Sequence, residues 1–366
     1  MRRVIGWRKL RFRFDWTLTL ATMAVIALGL LNLWSAVRER QTHLYAQQVS
    51  WFGLGAACFL VVATIDYRVL ARFGYLAYGG GVALLIAVLA FGKVVSGARR
   101  WFDLGPIHLQ PSEIMKVLVI VALGKYLNDA PALEGRSFRH LLVPVAIMGA
   151  PVLLIARQPD LGTALIIVLI FITIMLTARL KLRTLGGIMG LCALAATPIW
   201  QYGLHEYQRK RFLAFINPAL DPETAWQPRQ AMNAIGSGRF LGKGFLEGTQ
   251  IRLRSLPALW TDFPFAVWAE EWGFLGCLLV LVAYAVLILW VVRIASEARD
   301  RFGAAVCVGV AALLFWHVAI NIGMVTGVLP VVGVTLPLIS YGGSSALTCM
   351  VSLGLVMNVS VRRFAY

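Results

Sequence analysis

One segment constrains the fold of this chain more than any other. Residues 272–292 form an apolar run of 21 residues that contains no charged side chain. About 20 consecutive apolar residues are enough to cross the hydrocarbon core of a bilayer as a helix. Three carboxylates, Asp262, Glu270 and Glu271, stand just before the run. The sequence therefore predicts a membrane-spanning helix with acidic groups at one mouth.

The rest of the chain has the same apolar character. Of its 366 residues, 59% are hydrophobic and 14% are charged, whereas soluble domains carry about 25% charged residues. One large soluble core is thereby excluded, and we expect an all-α polytopic membrane protein that forms a single integral membrane domain over residues 1–366. Ten helices of spanning length are predicted, at 17–37, 48–65, 74–92, 111–127, 141–156, 161–178, 185–204, 264–292, 303–327 and 342–361.

The charge balance predicts the orientation of these helices. Lys and Arg number 34 against 17 Asp and Glu, and they concentrate in connections that share a side with the N-terminus. Cytoplasmic loops are enriched in basic residues, so both termini are expected in the cytoplasm, and nucleic acid is not needed to explain the net charge of +17. The five cysteines lie in apolar stretches without metal-ligand spacing, and they are interpreted as small buried side chains.

One connection is far longer than the others. It covers about 205–262, between the seventh and eighth predicted helices, and lies on the extracytoplasmic side. Long loops of this kind in compact proteins are usually functional. It begins with the basic patch Arg209, Lys210 and Arg211, continues into a glycine-rich stretch at 236–249, and ends at Asp262. The patch is either a solvated run of charges or a site that grips a phosphate.

Several polar residues fall inside or beside predicted spans. Glu113 and Lys116, spaced to share a helix face, form either an interior salt bridge that orients helices or part of a polar cavity, because mid-bilayer charges are costly. Asp160 stands just before the sixth predicted helix, where it is expected to cap that helix, to face a cavity, or to do both. His317 and Asn321 favour hydrogen bonds across helices.

The stretch PLISYGGSS, with Ser340 and Tyr341, predicts non-helical backbone against a cavity. Together with Glu113, Asp160 and Asp262, these residues map to the outer ends of helices. The sequence therefore predicts an outward-facing polar cavity within the membrane, where Glu270 and Glu271 act as supporting acids near the interface.

Five stretches then carry a resemblance to a known family. They are RRWFDLGPIHLQPSEIMK (99–116), RQPDLGTALI (157–166), AIGSGRFLGKG (234–244), TDFPFAVWAEEWGFLG (261–276) and NIGMVTGVLPVVGVTLPLISYGGSS (321–345). In this order they resemble the SEDS family (shape, elongation, division and sporulation), and its RodA branch more than its FtsW branch. The chain differs from the family pattern at Ala258 and Trp260, where glutamate and histidine are usual, and at Pro264, where an aliphatic residue is usual.

The resemblance implies a peptidoglycan glycosyltransferase of the bacterial cytoplasmic membrane, active during cell elongation and cell-shape maintenance. It polymerises lipid II on the outer face, alongside a class B penicillin-binding protein (a transpeptidase) and other elongation-complex membrane proteins. By the same resemblance the essential aspartate is Asp262, while Glu113, Lys116 and Asp160 match the family's other intramembrane polar positions.

The chemistry of joining sugars agrees with these assignments. Asp262 is the expected general base for the acceptor hydroxyl, and inversion in one displacement needs no covalent intermediate. The leaving pyrophosphate needs positive charge from Lys116, Arg209, Lys210 or Arg211, or from a divalent cation such as Mg²⁺ or Mn²⁺ held by carboxylates. A lipid II flippase is the alternative function, because transporters also place polar groups within the membrane. A non-catalytic scaffold is a third interpretation, for which the short internal loops offer little surface.

Overall fold

The chain is built almost entirely from helices, as predicted. The computed structural model describes residues 14–38, 41–95, 98–103, 105, 108–130, 138–178, 186–187, 190, 203, 206–249 and 259–363. Its α-helices are α1 Trp16–Val37, α2 Thr42–Thr64, α3 Tyr67–Phe91, α4 Pro111–Asp129, α5 Leu142–Ala156, α6 Leu161–Thr177, α7 Glu206–Ile216, α8 Pro222–Gly238, α9 Pro264–Ser296, α10 Arg301–Val325 and α11 Gly343–Arg362. Nine of the ten predicted spans fall on these helices, and the span at 185–204 lies almost entirely outside the described residues.

Six of the described helices are long and apolar enough to cross a bilayer, namely α1, α2, α3, α9, α10 and α11. Two shorter apolar helices, α5 and α6, lie among them. The chain is therefore a multi-pass membrane protein. α4 is less apolar because it carries Glu113 and Lys116, and it lies inside the bundle, packed on α3 and α10.

Local sequence explains where many of the helices begin. Side chains of Asp15, Asp66, Asp160, Asp221 and Asp300 accept a hydrogen bond from a backbone N–H in the first turn of α1, α3, α6, α8 and α10. An aspartate cap satisfies one of the N–H groups that a helix start leaves without an internal partner. Proline stands in the first turn of α4, α8 and α9, where its missing N–H has no cost.

A small antiparallel sheet, which the sequence interpretation missed, joins α3 to α4. Its strands are β1 Lys93–Val95, β2 Ala98–Asp103 and β3 His108–Leu109. Arg100 fastens the sheet to the turn before α6, since its Nε donates to the Gln158 carbonyl at 2.8 Å and its Nη2 donates to the Pro159 carbonyl. The sheet thereby reaches across to the start of α6.

The described part of the long connection contains two helices, α7 and α8, and then a glycine-rich segment that docks on α9. We call this segment, residues 236–249, the clasp. α9 leaves helical geometry at Gly273, where φ is 62° and ψ is −158°. Phe274 N and Leu275 N donate to the Arg239 and Phe240 carbonyls at 3.0 and 3.3 Å. The helix break therefore obtains its hydrogen bonds from the clasp.

The exchange at the break is reciprocal. Lys243 N and Gly244 N of the clasp each donate, at 3.0 Å, to the carbonyls of Glu270 and Glu271. These two carbonyls would otherwise face the N–H groups of Phe274 and Leu275 along the helix. The break divides α9 into a short segment that follows Asp262 and a long spanning segment, close to the division that the sequence predicted at Trp272.

At the opposite end of the bundle, the two ends of the described chain meet. Asp15, at the start of α1, lies 3.8 Å from the Arg363 guanidinium and accepts hydrogen bonds from Trp290 Nε1 and Ser360 Oγ, both at 2.9 Å. Arg363 also pairs with Glu297 at 2.5 Å. The chain therefore enters and leaves the bundle on one face, and α9 and α10 are joined there too.

Candidate active site

A polar cavity of about 280 Å³ lies at the other end of the bundle, between the β-sheet, α4, α6, α10 and the segment before α11. It brings together the predicted residues Glu113, Asp160, Asp262 and Tyr341. The remaining lining residues are Arg100, Trp101, Gln110, Thr163, Ile166, Thr261, His317, Gly333, Val334, Thr335, Gly342, Ser344 and Ser345. The predicted convergence of polar groups from distant parts of the chain is thus present in the fold.

Asp262 lies in the turn immediately before α9. Its backbone carbonyl accepts from Asn321 Nδ2 at 3.0 Å, and the same amide group donates to the Val334 carbonyl at 2.7 Å. Burial among protein atoms raises the pKa of the Asp262 carboxyl above its ordinary value, while a hydrogen bond from Thr261 and the positive charge of Arg211 lower it in part. A raised pKa makes this carboxylate a better proton acceptor than an exposed aspartate.

Asp160 caps α6 and faces the cavity at the same time. Its Oδ1 accepts from Thr163 N at 3.3 Å, while its Oδ2 accepts from Gln110 Nε2 at 3.0 Å and lies 3.5 Å from Ser112 Oγ. The two interpretations that the sequence left open are therefore both realised, by different oxygens of one carboxylate.

Glu113, Lys116 and His317 form a buried chain of hydrogen bonds. Lys116 Nζ lies 2.7 Å from Glu113 Oε1 and 2.8 Å from His317 Nε2, and His317 Nδ1 lies 3.0 Å from the Thr335 carbonyl. An ammonium only donates, so Nε2 accepts and the imidazole proton sits on Nδ1, where it donates to Thr335. Lys116 is 1% exposed and does not line the cavity. Of these three residues, Glu113 and His317 face the cavity.

The predicted non-helical stretch before α11 is present, and it ties α2 to the Asp262 turn. Tyr341 N donates to the Trp260 carbonyl at 2.7 Å, and its hydroxyl donates to Gln47 Oε1 at 2.7 Å. Ser340, by contrast, is buried away from the cavity, and its Oγ accepts from Leu336 N at 2.8 Å. Tyr341 therefore lines the site, while Ser340 holds the turn.

Glu270 and Glu271 are fully buried beneath the clasp. Glu270 Oε1 accepts from Lys243 Nζ at 2.6 Å, from Thr249 N at 2.9 Å and from Thr249 Oγ1 at 2.7 Å. Glu271 Oε1 accepts from Ser35 Oγ. Both acids lie outside the cavity, and through these contacts they hold the clasp and α1 against α9.

The basic patch divides into different environments. Lys210 forms an exposed ion pair with Glu206 at 3.2 Å. Arg211 Nη1 donates to the Val331 carbonyl at 3.3 Å, which brings its charge close to the Asp262 turn. Arg209 is partly buried on the same helix. Of these three cations, Arg211 makes a described contact with the 327–335 segment that borders the site.

Sequence reasoning did not select Arg100, Trp101 or Gln110 as site residues. The available signal was the presence of a cationic, an aromatic and an amide side chain in one short connection, the stretch RRWFDLGPIHLQPSE. Among the described residues, no three His, Cys, Asp or Glu side chains come together in a way that could hold a metal ion. The carboxylates of this part of the chain therefore do not form a ready-made divalent-cation site.

Comparison with known proteins gives the family. Residues 15–364 match the FtsW/RodA/SpoVE family model, described as cell cycle protein. The chain belongs to this family. Over 98% of its length, this FtsW/RodA/SpoVE member is 37% identical to the peptidoglycan glycosyltransferase MrdB of Escherichia coli K12, and it covers 95% of that protein. It is 29% identical to the peptidoglycan glycosyltransferase RodA of Treponema pallidum, over 96% of this chain and 98% of that one.

Solved structures agree. A chain from work on how a peptidoglycan synthase complex coordinates polymerisation and crosslinking matches this family member with a TM-score of 0.84 and 32% identity, covering 96% of this chain and 99% of that one. The rod shape determining protein RodA of Thermus thermophilus matches with a TM-score of 0.74 and 30% identity, covering 96% and 98%. The family resemblance drawn from the sequence motifs is thereby confirmed.

Proposed function

We propose that this protein is a peptidoglycan glycosyltransferase that polymerises lipid II into glycan strands during cell elongation. The observation that carries the proposal is the position of the Asp262 carboxylate at the wall of a polar cavity. Burial raises the pKa of this carboxyl. The chain that holds it is 37% identical to a peptidoglycan glycosyltransferase along nearly its whole length. A base at the wall of a cavity supplies the proton acceptor that sugar transfer requires.

The cavity is proposed to open on the outer side of the cytoplasmic membrane, with both termini inside the cell. The basic residues of the predicted internal connections support this orientation. Asp15 and Arg363 meet on one face of the bundle, whereas Asp262 and Asp160 line a cavity at the other end. Lipid-linked sugars on the outer leaflet would then have direct access to Asp262.

The reaction is a single displacement. Asp262 accepts the proton of the acceptor sugar's 4-hydroxyl as that oxygen attacks the anomeric carbon of the donor. The bond from this carbon to the diphosphate breaks with its electron pair on the departing oxygen, which releases undecaprenyl diphosphate. Attack opposite the leaving group converts an α-linked donor into a β-1,4-linked strand. Asp262 then returns its proton to water.

The other cavity residues are proposed to hold the sugars. Gln110 and Asp160 are already hydrogen-bonded to each other at 3.0 Å, and both line the cavity, so they can exchange partners with sugar hydroxyls. Trp101 offers an aromatic face in the same cavity. Glu113, held by Lys116, adds a fixed acceptor. No step of this mechanism is routed through a divalent cation.

The lipid tail of the acceptor is proposed to lie between α2 and α3. These helices follow each other in the chain, but α2 packs mainly on α11 and α3 mainly on α4. Both also expose many large apolar side chains, including Leu60, Val61, Phe73 and Leu76. A cleft between them would lead an isoprenoid chain from the bilayer toward Tyr341 and the cavity.

A class B penicillin-binding protein and other membrane proteins of the elongation complex are the proposed partners. The support is the similarity to a chain from a peptidoglycan synthase complex that coordinates polymerisation with crosslinking. Sharing one assembly would deliver nascent strands directly to a transpeptidase.

The test is polymerisation of lipid II by the purified full-length protein in detergent, with glycan strands resolved on a gel. Asp262→Asn keeps the shape of the side chain but removes the base, and it is expected to abolish strand synthesis. Asp103→Asn, at an exposed acid of the β-sheet, is the matched control and should remain active. Strand synthesis by Asp262→Asn at the wild-type rate would refute the assignment. A flippase would make no strands in detergent, where transport across a bilayer has no meaning.

A further inference from the structure

We infer that a second cavity beside the first binds the diphosphate end of the donor, so that the Asp262 cavity is left for the acceptor sugar. This inference rests on the proposed function. The second cavity has a volume of about 350 Å³ and lies between α7, α8 and the segment 327–331. It is separate from the cavity that contains Asp262.

The lining of the second cavity has two kinds of surface. Arg211 and Arg229 supply two guanidinium groups, and Glu223 supplies one carboxylate, so the charged lining carries a net positive charge. Phe215, Met232 and Leu329 supply an apolar wall. Guanidinium groups bind phosphate oxygens in a bidentate manner, and an apolar wall favours a hydrocarbon chain. A prenyl diphosphate has both features in one molecule.

The Asp262 cavity has the opposite charge. Three carboxylates, Glu113, Asp160 and Asp262, line it together with one guanidinium, that of Arg100. Like charges in a shared site repel, so a diphosphate is disfavoured there, whereas the hydroxyls of a sugar can donate to carboxylate oxygens. Lys116 neutralises Glu113 from behind the cavity wall, and the remaining carboxylates, Asp160 and Asp262, still favour a sugar over a diphosphate there.

A single stretch of backbone separates the cavities. Pro330 and Val331 face the second cavity, while Gly333, Val334 and Thr335 face the first. Arg211 Nη1 donates to the Val331 carbonyl at 3.3 Å, and its positive charge acts on the Asp262 carboxylate. A donor sugar at this wall would have its diphosphate on the arginine side and its attacked carbon toward Asp262. Base and leaving group would then lie on opposite sides of the sugar, as inversion requires.

Arg229 provides the cleanest test, because its side chain is exposed and its loss should not disturb the core. The probe is geranylgeranyl diphosphate, added to full-length protein in nanodiscs. Its binding is measured by the shift in melting temperature and by inhibition of lipid II polymerisation. Arg229→Gln should weaken probe binding about 5- to 10-fold, the effect of removing one charge-assisted hydrogen bond from a partly solvated site. It should also raise KM for lipid II and leave kcat within about 2-fold.

The matched control is Arg239→Gln. Arg239 is another exposed arginine, just after the end of α8, and it does not line the second cavity. This variant should bind the probe like the wild type. Inorganic diphosphate should bind more weakly than the prenyl compound, because it has no chain for the apolar wall.

Three results would overturn the inference. Arg229→Gln could bind the probe as tightly as the wild type, which would remove the diphosphate from the second cavity. Inorganic and prenyl diphosphate could bind equally well. Addition of phosphatidylglycerol to the nanodiscs could abolish probe binding, which would assign the cavity to bulk phospholipid. If the probe binds as expected but the protein makes no strands, the second cavity is supported and the proposed function fails.

Discussion

The buried pair of Glu113 and Lys116 permits a quantitative test of what holds the site together. Lys116 is 1% exposed and Glu113 is 7% exposed, and their charged atoms lie 2.7 Å apart. Lys116→Met removes the positive charge and leaves the carboxylate unpaired inside the bundle. Breaking a buried ion pair by removing one partner costs about 3–5 kcal/mol. His317 Nε2 loses its donor as well, so we expect a loss of stability toward the upper end of that range.

The double variant Glu113→Gln/Lys116→Met separates charge from packing. It contains no unpaired charge, and replacing a buried ion pair with neutral groups of similar volume is often neutral or even stabilising. We therefore expect it to recover most of the stability that Lys116→Met loses, with a coupling energy of about 3 kcal/mol in a double-mutant cycle. Activity should stay low, because Glu113 faces the cavity.

The assay is equilibrium unfolding of the purified protein in detergent, followed by circular dichroism for the wild type, both single variants and the double variant. If Lys116→Met costs less than about 1 kcal/mol, the pair behaves like a solvent-exposed salt bridge, and the reasoning from burial is wrong. If the stability losses of the two single variants simply add up in the double variant, the two side chains are not coupled, and the reasoning is also wrong.

Three further expectations follow from the structure. The polymerisation rate should fall as pH is lowered through the pKa of Asp262. Because burial raises that pKa, the acid limb of the pH profile of kcat/KM should lie above the usual aspartate range. An acid limb at the ordinary aspartate value would contradict this. Gly273→Ala should lower the melting temperature and cost about 1–3 kcal/mol of stability, because φ is 62° at this position and a Cβ would meet the backbone of Leu241 and Gly242. An unchanged melting temperature would argue against backbone strain in the variant. Asp15→Asn should cost about 1 kcal/mol in chemical unfolding, because asparagine can still cap α1 but cannot form the ion pair with Arg363. A similar loss in a Glu206→Gln control would deny Asp15 a special role.

The helices were predictable because a bilayer leaves few alternatives. Backbone groups in hydrocarbon must bond within the segment, so each apolar run of sufficient length specifies a helix. α4 was predictable although it carries charged residues. Pro111 and Glu113 mark its start, and the spacing of Glu113 and Lys116 predicts their ion pair. The convergence of Glu113, Asp160 and Asp262 at one end of the bundle followed from counting spans.

The remaining features depend on contacts between distant residues, which local patterns do not contain. The β-sheet is held by Arg100 on carbonyls nearly 60 residues away, and Lys116 is hidden from the cavity by His317, on another helix. Pro264 differs from the family pattern, but it occupies the first turn of α9, where proline fits, and its carbonyl accepts from Asn32 Nδ2 at 2.9 Å. Trp260 contributes to the site through its backbone carbonyl, which accepts from Tyr341 N, while its side chain packs against the hydrophobic core.

The clasp has a consequence for how the protein is assembled in the membrane. The spanning part of α9 starts with Phe274 and Leu275, whose N–H groups bond only to carbonyls of Arg239 and Phe240 in the described fold. Without the docked clasp, these N–H groups can bond to the Glu270 and Glu271 carbonyls of an unbroken helix, so the break at Gly273 is stabilised only once the clasp has docked. The clasp leaves the ribosome first, being N-terminal to α9. Docking of the clasp and breaking of α9 at Gly273 are therefore two halves of one event.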